Sequence, residues 1–104
     1  MNDKITGFIC GIDVDKNTYR VLMLATDPRY RNRGIGSKLL NSFEEVSYSR
    51  GASKIVLEVR KNSEEVIGFY RKREFKIVEY LKDFYTDGED GYKMEKCLRN
   101  KSRS

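Results

Sequence analysis

Between Thr18 and Arg60 the spacing of the apolar residues changes twice, and the order of those changes limits the folds open to the chain. "TYRVLMLATD" is a nearly unbroken apolar run, as expected of a strand covered on both faces. Ile35, Leu39, Leu40, Phe43 and Val46 then recur at helical spacing, with Arg50 in the last turn and Gly51 as a natural C′ residue. In "KIVLEVR" the pattern alternates: Ile55, Leu57 and Val59 share one face, and Val56, Glu58 and Arg60 share the other. Strand, helix and strand in that order form a right-handed crossover, so part of the sheet must be parallel.

The flanking segments extend this unit. "ITGFICGIDV" reads as a strand joined by the turn "DKN" to the apolar run. "NSEEVIGFYRKR" starts a second helix, in which Asn62 or Ser63 caps the end, Glu64 and Glu65 suit the positive terminus, and Val66, Ile67 and Tyr70 form the inner stripe. "FKIVEYL" and "GYKMEKCL" close the chain as an antiparallel pair around the loop "KDFYTDGED". The expected fold is α/β (α+β), in the order β-β-α-β-α-β-β, with a mixed and mainly antiparallel sheet and helices on its faces.

A chain of 104 residues has room for one modest core, so residues 1–98 are expected to form a single domain and residues 99–104 a basic, flexible tail. No stretch approaches the roughly 18 consecutive apolar residues of a membrane span. "MNDKITGF" also lacks the layout of a signal peptide, so a cytoplasmic protein is expected. Cys10 and Cys97 form neither a disulfide framework nor a metal spacing and read as reduced thiols. The chain has no histidine, which excludes Ser-His and Cys-His nucleophiles and the usual zinc sites. Acid–base chemistry is left to Asp, Glu, Tyr, Lys and Cys.

The net charge of +5 suggests an anionic partner, and the charge is clustered. One cluster is the tail "KCLRNKSRS"; the other is the turn "DPRYRNRGIGSKLL", where Arg29, Arg31 and Arg33 precede Gly34 and Gly36 at the start of a helix. A helix N-terminus offers unpaired N–H groups and partial positive charge, and glycines let an oxygen approach the backbone. A diphosphate cradle and a solvated basic loop both fit this much. The spacing is not that of a P-loop, and Leu39 stands where a Rossmann fingerprint needs Gly or Ala.

"RNRGIG" resembles the Arg/Gln-x-x-Gly-x-Gly/Ala motif of the GNAT acetyltransferases. On either side of it, "LATDPRYRNRGIGSKLL" looks like that family's fourth strand, loop and third helix. "LEVRKNSEEVIGFYRKREF" resembles the fifth strand and fourth helix of the branch that acetylates protein N-termini, the RimI/Ard type, and "DFYTDGEDGYKMEK" its final hairpin. The resemblance covers roughly residues 5 to 97.

It implies acetyl-CoA as co-substrate, no metal, and a protein or peptide N-terminus as acceptor. The thioester and pantetheine would pair with the backbone of Leu24, Ala25 and Thr26, and the diphosphate with Arg31, Asn32, Arg33, Gly34, Ile35, Gly36 and Ser37. Arg29 is either a further contact or a surface charge. Tyr70, by spacing a core aromatic, would be the proton donor to the CoA thiolate. Glu58, by spacing a surface carboxylate partnered with Arg60, would be the general base. Tyr85 would touch the acceptor, and Phe84 stands where many members have another tyrosine.

Three departures qualify the match. The order Asn62-Ser63 is reversed relative to the family, which puts Ser63 at the position of a CoA-contacting asparagine. Glu74 replaces the glycine that ends the second helix. The match also begins at the family's third strand, so the fold is expected to be N-terminally truncated, with an uncovered sheet face that a homo-oligomer or a partner chain would cover. Two functions therefore compete: an N-acetyltransferase, and an acyl-CoA-binding remnant or subunit without independent catalysis. A nucleic-acid module is the weakest alternative, because no aromatic platform or basic recognition helix supports it.

Overall fold

The computed structural model describes residues 7–26 and 34–98. Strands β1 (Gly7–Asp15) and β2 (Thr18–Thr26) form a hairpin, in which the Asn17 N–H donates to the Asp15 carboxylate (2.8 Å). Helix α1 (Ile35–Ser49) leads to β3 (Lys54–Arg60), helix α2 (Glu64–Lys72) follows, and β4 (Lys76–Leu81) and β5 (Gly91–Cys97) complete a five-stranded sheet ordered β1-β2-β3-β5-β4. Only β2 and β3 run parallel; the other neighbours are antiparallel. The element order and mixed sheet are those expected from the sequence, and the basic tail at 99–104 lies outside the described residues.

Both helices pack on one face. Leu40 of α1 and Ile67 and Tyr70 of α2 share a core with Ile55, Leu57, Val59, Met94 and Phe75. Gly36 fits this packing: a Cβ there would lie 3.3 Å from the Phe69 ring of α2. Its small size therefore lets α1 approach α2, a packing role beside the one its place in the motif suggested.

The stripe of α1 is rotated from the expected one. Val46 is 49% exposed, while Glu44 and Ser47 are buried beside Leu40 at positions four and seven residues apart. The carboxylate can sit inside because Lys96 of β5 donates to Glu44 Oε1 at 3.0 Å, which matches a buried charge with an opposite one. In α2, Ile67 and Tyr70 are buried as expected, and Val66 is exposed.

The other face has no helix over it among the described residues. Expected to be covered on both sides, β2 instead leaves Leu22 and Met23 more than half exposed, next to Phe8, Ile12 and Val14 of β1. A bulge is the reason. Cys10 pairs with Met23 and Gly11 with Val21, so Leu22 is an extra residue on β2 that breaks the alternation of its side chains. A continuous apolar run then no longer means two buried faces.

Gly51 has the positive φ (98°) of a helix-terminating residue. Glu74 occupies the same kind of position after α2, with φ 73°, and the chain reverses there to bury Phe75. A side chain in this conformation costs roughly 1–2 kcal/mol relative to right-handed backbone. Glu74→Gly, offset in part by chain entropy, should raise stability by about 0.5–1 kcal/mol, a Tm rise of roughly 2–8 °C for a domain this size. A lower melting temperature in calorimetry would contradict this.

Candidate functional site

The parallel ladder between β2 and β3 is short. Thr18, Tyr19 and Arg20 pair with Lys54, Ile55 and Val56, and no further pair follows. The bulge at Leu22 comes two residues after the last paired residue, Arg20, and turns β2 away. The strands diverge around a cleft of about 240 Å3, lined by Val21–Leu24 on one side and Leu57–Arg60 on the other, with Ser63, Val66, Tyr70 and Tyr85 across its ends. On the β3 side the Val21–Thr26 backbone has no ladder partner among the described residues, so its polar groups there are open to a ligand.

Seven sequence-derived candidates, Tyr85 among them, border this opening or its rim. Leu24 lines it, and Ala25 and Thr26 continue the same diverging strand. Ser63 holds the N-cap position of α2, yet its side chain makes no capping hydrogen bond, contrary to the capping role expected. Ser63 also lines the cleft, and its hydroxyl is not committed to the helix. Glu58 and Tyr70 both line the cleft, from opposite faces of the sheet. Alternation along β3 points Leu57 and Val59 to the helices and Glu58 away from them, while Tyr70 sits on α2 with its ring edge-on to Phe69 (5.2 Å) and Phe75 (5.3 Å).

Glu58 is ion-paired with Arg20 of β2, Oε2 to Nη2 at 3.1 Å, and not with Arg60 as expected. Residues i and i+2 on adjacent parallel strands share a face, so Arg20, opposite Val56, reaches Glu58. Arg60 turns to the β4–β5 loop, where its Nη1 donates to Asp87 (3.0 Å) and Glu89 (2.5 Å). Its guanidinium also lies 4.2 Å from the centre of the Tyr85 ring. That contact fixes Tyr85 at the cleft edge, while Phe84 is nearly half exposed beside it. The backbone N–H of Glu89 and the Arg60 guanidinium hold the Asp87 carboxyl below its usual range.

The N-terminus of α1 carries the other candidates. Gly34 is the N-cap with φ 76°, a conformation that favours glycine, and no atom would meet a Cβ there. Ile35, Gly36 and Ser37 form the first turn, which has no acidic residue and no side-chain cap. Arg29, Arg31, Asn32 and Arg33 lie outside the described residues. Sequence reasoning missed Arg20, the bulge at Leu22, and Arg73, which donates from Nε to Ser37 Oγ (2.8 Å). The first and last act across long sequence separations, and an apolar bulge residue looks like any other apolar strand residue.

Among the described residues no group of His, Cys, Asp and Glu could hold a metal, and no helix is long and apolar enough to cross a membrane. What the site offers is a strand edge, a phenol and a carboxylate around one opening, with a positive helix end elsewhere, on α1. Residues 1–75 match the acetyltransferase (GNAT) family, and the chain belongs to that family.

Its relatives include an N-alpha-acetyltransferase of Saccharolobus solfataricus, 39% identical over 79 residues, which are 75% of this chain and 47% of that one. Ard1 from Thermoplasma volcanium superposes with TM-score 0.87 at 33% identity, covering 91% of this chain and 64% of Ard1. Arabidopsis thaliana Naa50, in complex with the bisubstrate analogue CoA-Ac-MVNAL, superposes with TM-score 0.78 at 27% identity, covering 89% of this chain and 66% of Naa50. The chain thus spans about half to two thirds of these relatives.

Burial alone pushes the Tyr70 phenol up to about 12. The neutral phenol's contribution to stability is whole below the ordinary value near 10 and is lost as the pH rises towards 12, because the unfolded chain ionises first. The urea midpoint of Tyr70→Phe should therefore decline less between pH 10 and 12 than that of the wild-type chain. Parallel declines would contradict the burial.

Proposed function

We propose that this protein transfers an acetyl group from acetyl-CoA to an amine, and that the amine is the α-amine of a protein or peptide. The observation that carries the reading is the split between β2 and β3, with Glu58 and Tyr70 opening into it from opposite faces. One face suits the thioester and the other the incoming amine. Acetyl-CoA fits the helix side: the unpaired β2 backbone can hydrogen-bond the amides of its pantetheine arm. The uncapped first turn of α1 and Ser37 suit its diphosphate.

In this reading the amine nitrogen attacks the thioester carbonyl, the C–S bond breaks, and the sulfur leaves as a thiolate. A backbone N–H of β2 near Leu24 stabilises the oxyanion, in place before the reaction begins. Glu58 accepts the proton that the amine nitrogen gives up as its bond to the carbonyl carbon forms, directly or through one water; Arg20 fixes its orientation through one oxygen and leaves the other for that contact. Tyr70 donates to the departing sulfur. Near 12 the phenol stays protonated at every physiological pH, so it is always a donor. Complete transfer to a thiolate of ordinary pKa near 8.5 would be uphill. A thiolate in the same dry cleft is itself raised, which narrows the gap.

The α-amine is favoured over lysine because its pKa near 8 asks little of one ion-paired carboxylate, whereas a side-chain amine near 10.4 asks more. Tyr85, held by Arg60, stands where it can contact the acceptor's first residues. The N-alpha-acetyltransferases among the relatives support the same choice. A second reading, coenzyme binding without turnover, is favoured by the half-exposed Phe8, Ile12 and Met23 on the face where Glu58 emerges.

Acetyl-CoA-dependent acetylation of short peptides separates the two. Peptides with free α-amines should be modified and α-blocked, lysine-containing ones should not. Tyr70→Phe and Glu58→Gln should each lower kcat by about 10²-fold. Binding of CoA without product would select the second reading. Preferential modification of blocked peptides would overturn the α-amine assignment.

A further inference from the structure

Of the partly buried cations among the described residues, Arg73 and Lys93 face no carboxylate, and Arg73 is held by hydrogen bonds to another helix. Arg20, Lys54, Arg60 and Lys96 each face a carboxylate at 3.3 Å or less. Arg73, the C-cap residue of α2, has no carboxylate partner among the described residues. Its guanidinium lies over the Phe69 ring (3.9 Å), Nη1 donates to the Phe69 carbonyl (2.8 Å), and Nε and Nη2 both donate to Ser37 Oγ. The last contact carries the charge across from α2 to the first turn of α1.

That is the wrong end of α1 for a cation. The N-terminus of a helix is already positive, and this one has neither an acidic residue in its first turn nor a side-chain cap. A strut between the helices could be apolar; a part-buried guanidinium with no carboxylate against it among the described residues is suited to receive an anion through charge-assisted hydrogen bonds. The chemistry of the contact agrees. Ser37 Oγ accepts from Arg73, so its own hydroxyl proton is left to be donated outward. Two of the five guanidinium N–H donors also have no partner among the described residues.

We propose that Arg73 is a phosphate-binding residue of the coenzyme site, acting with the Ser37 hydroxyl that it orients. Its ligand is a phosphate oxygen of a nucleotide-linked thioester, docked at the first turn of α1. The Phe69 ring and carbonyl hold the guanidinium in place, so little side-chain freedom is lost when the anion arrives. The role rests on the coenzyme reading given above.

Titration calorimetry with CoA, and NMR titration with phosphate-free pantetheine at millimolar concentration, test it. Arg73→Gln should weaken CoA binding about tenfold, and Arg73→Lys, which keeps charge but not the fork, by about threefold. Pantetheine binding should stay within about twofold of wild type in both, since it has no phosphate for Arg73 to meet. Ser37→Ala should weaken CoA binding, and adding it to Arg73→Gln should cost less than the two single losses combined. Unchanged CoA binding in the Arg73 variants, or an equal loss for pantetheine, would overturn the proposal and leave the coenzyme reading standing. Absence of CoA binding by the wild-type chain would overturn the coenzyme reading itself, and this role with it.

Discussion

Two adjacent parallel strands normally bond along their whole length, yet β2 and β3 pair at three positions and part. The extra residue at Leu22 comes two residues after the last paired residue, Arg20, and redirects β2, while β1 follows it because the bulge lies in their shared ladder. An edge of main chain is thereby left inside the sheet rather than at its border. Every feature of the candidate site depends on that parting. The cleft exists because of it, and Tyr70 and Glu58, which belong to opposite faces, can meet a common ligand only through it.

Around this opening, charge does the positioning and apolar packing sets the tolerances. Arg20 spans the mouth of the split to Glu58, and Arg60 ties the β4–β5 loop to the end of β3 while covering Tyr85. These pairs are partly exposed, so their worth lies more in orientation than in stability. The phenol of Tyr70 is governed by its neighbours Phe69 and Phe75, whose edge-on rings remove it from water. Phe75 is drawn into that cluster by the reversal at Glu74, where the chain accepts an unfavourable backbone conformation to bury an aromatic ring.

The elements themselves were legible in the sequence because each follows from local periodicity: the alternation of "KIVLEVR", the helical recurrence through Leu39, Leu40 and Phe43, and the turn at Asp15–Asn17. Motif resemblance added Glu58, Tyr70, Ser63 and the first turn of α1, and the fold brings the first three to one cleft. What pattern could not reveal was tertiary. The bulge is invisible because Leu22 is as apolar as its neighbours. The burial of Glu44 depends on a partner, Lys96, that lies on the last strand, beyond the reach of local pattern. Arg60, two residues along from Glu58, was the partner expected, and strand register chose Arg20 instead. Gly36 matched a cradle motif, while the structure also gives it a packing role against Phe69.

The central claim is that the unpaired edge of β2 is a coenzyme seat. Amide hydrogen exchange over Leu22–Thr26, measured with and without CoA, tests it most directly. The amides of this segment that point away from β1 should exchange fast in the ligand-free chain and clearly more slowly when CoA is added, along with the first turn of α1. CoA binding that leaves both segments exchanging as before would contradict it.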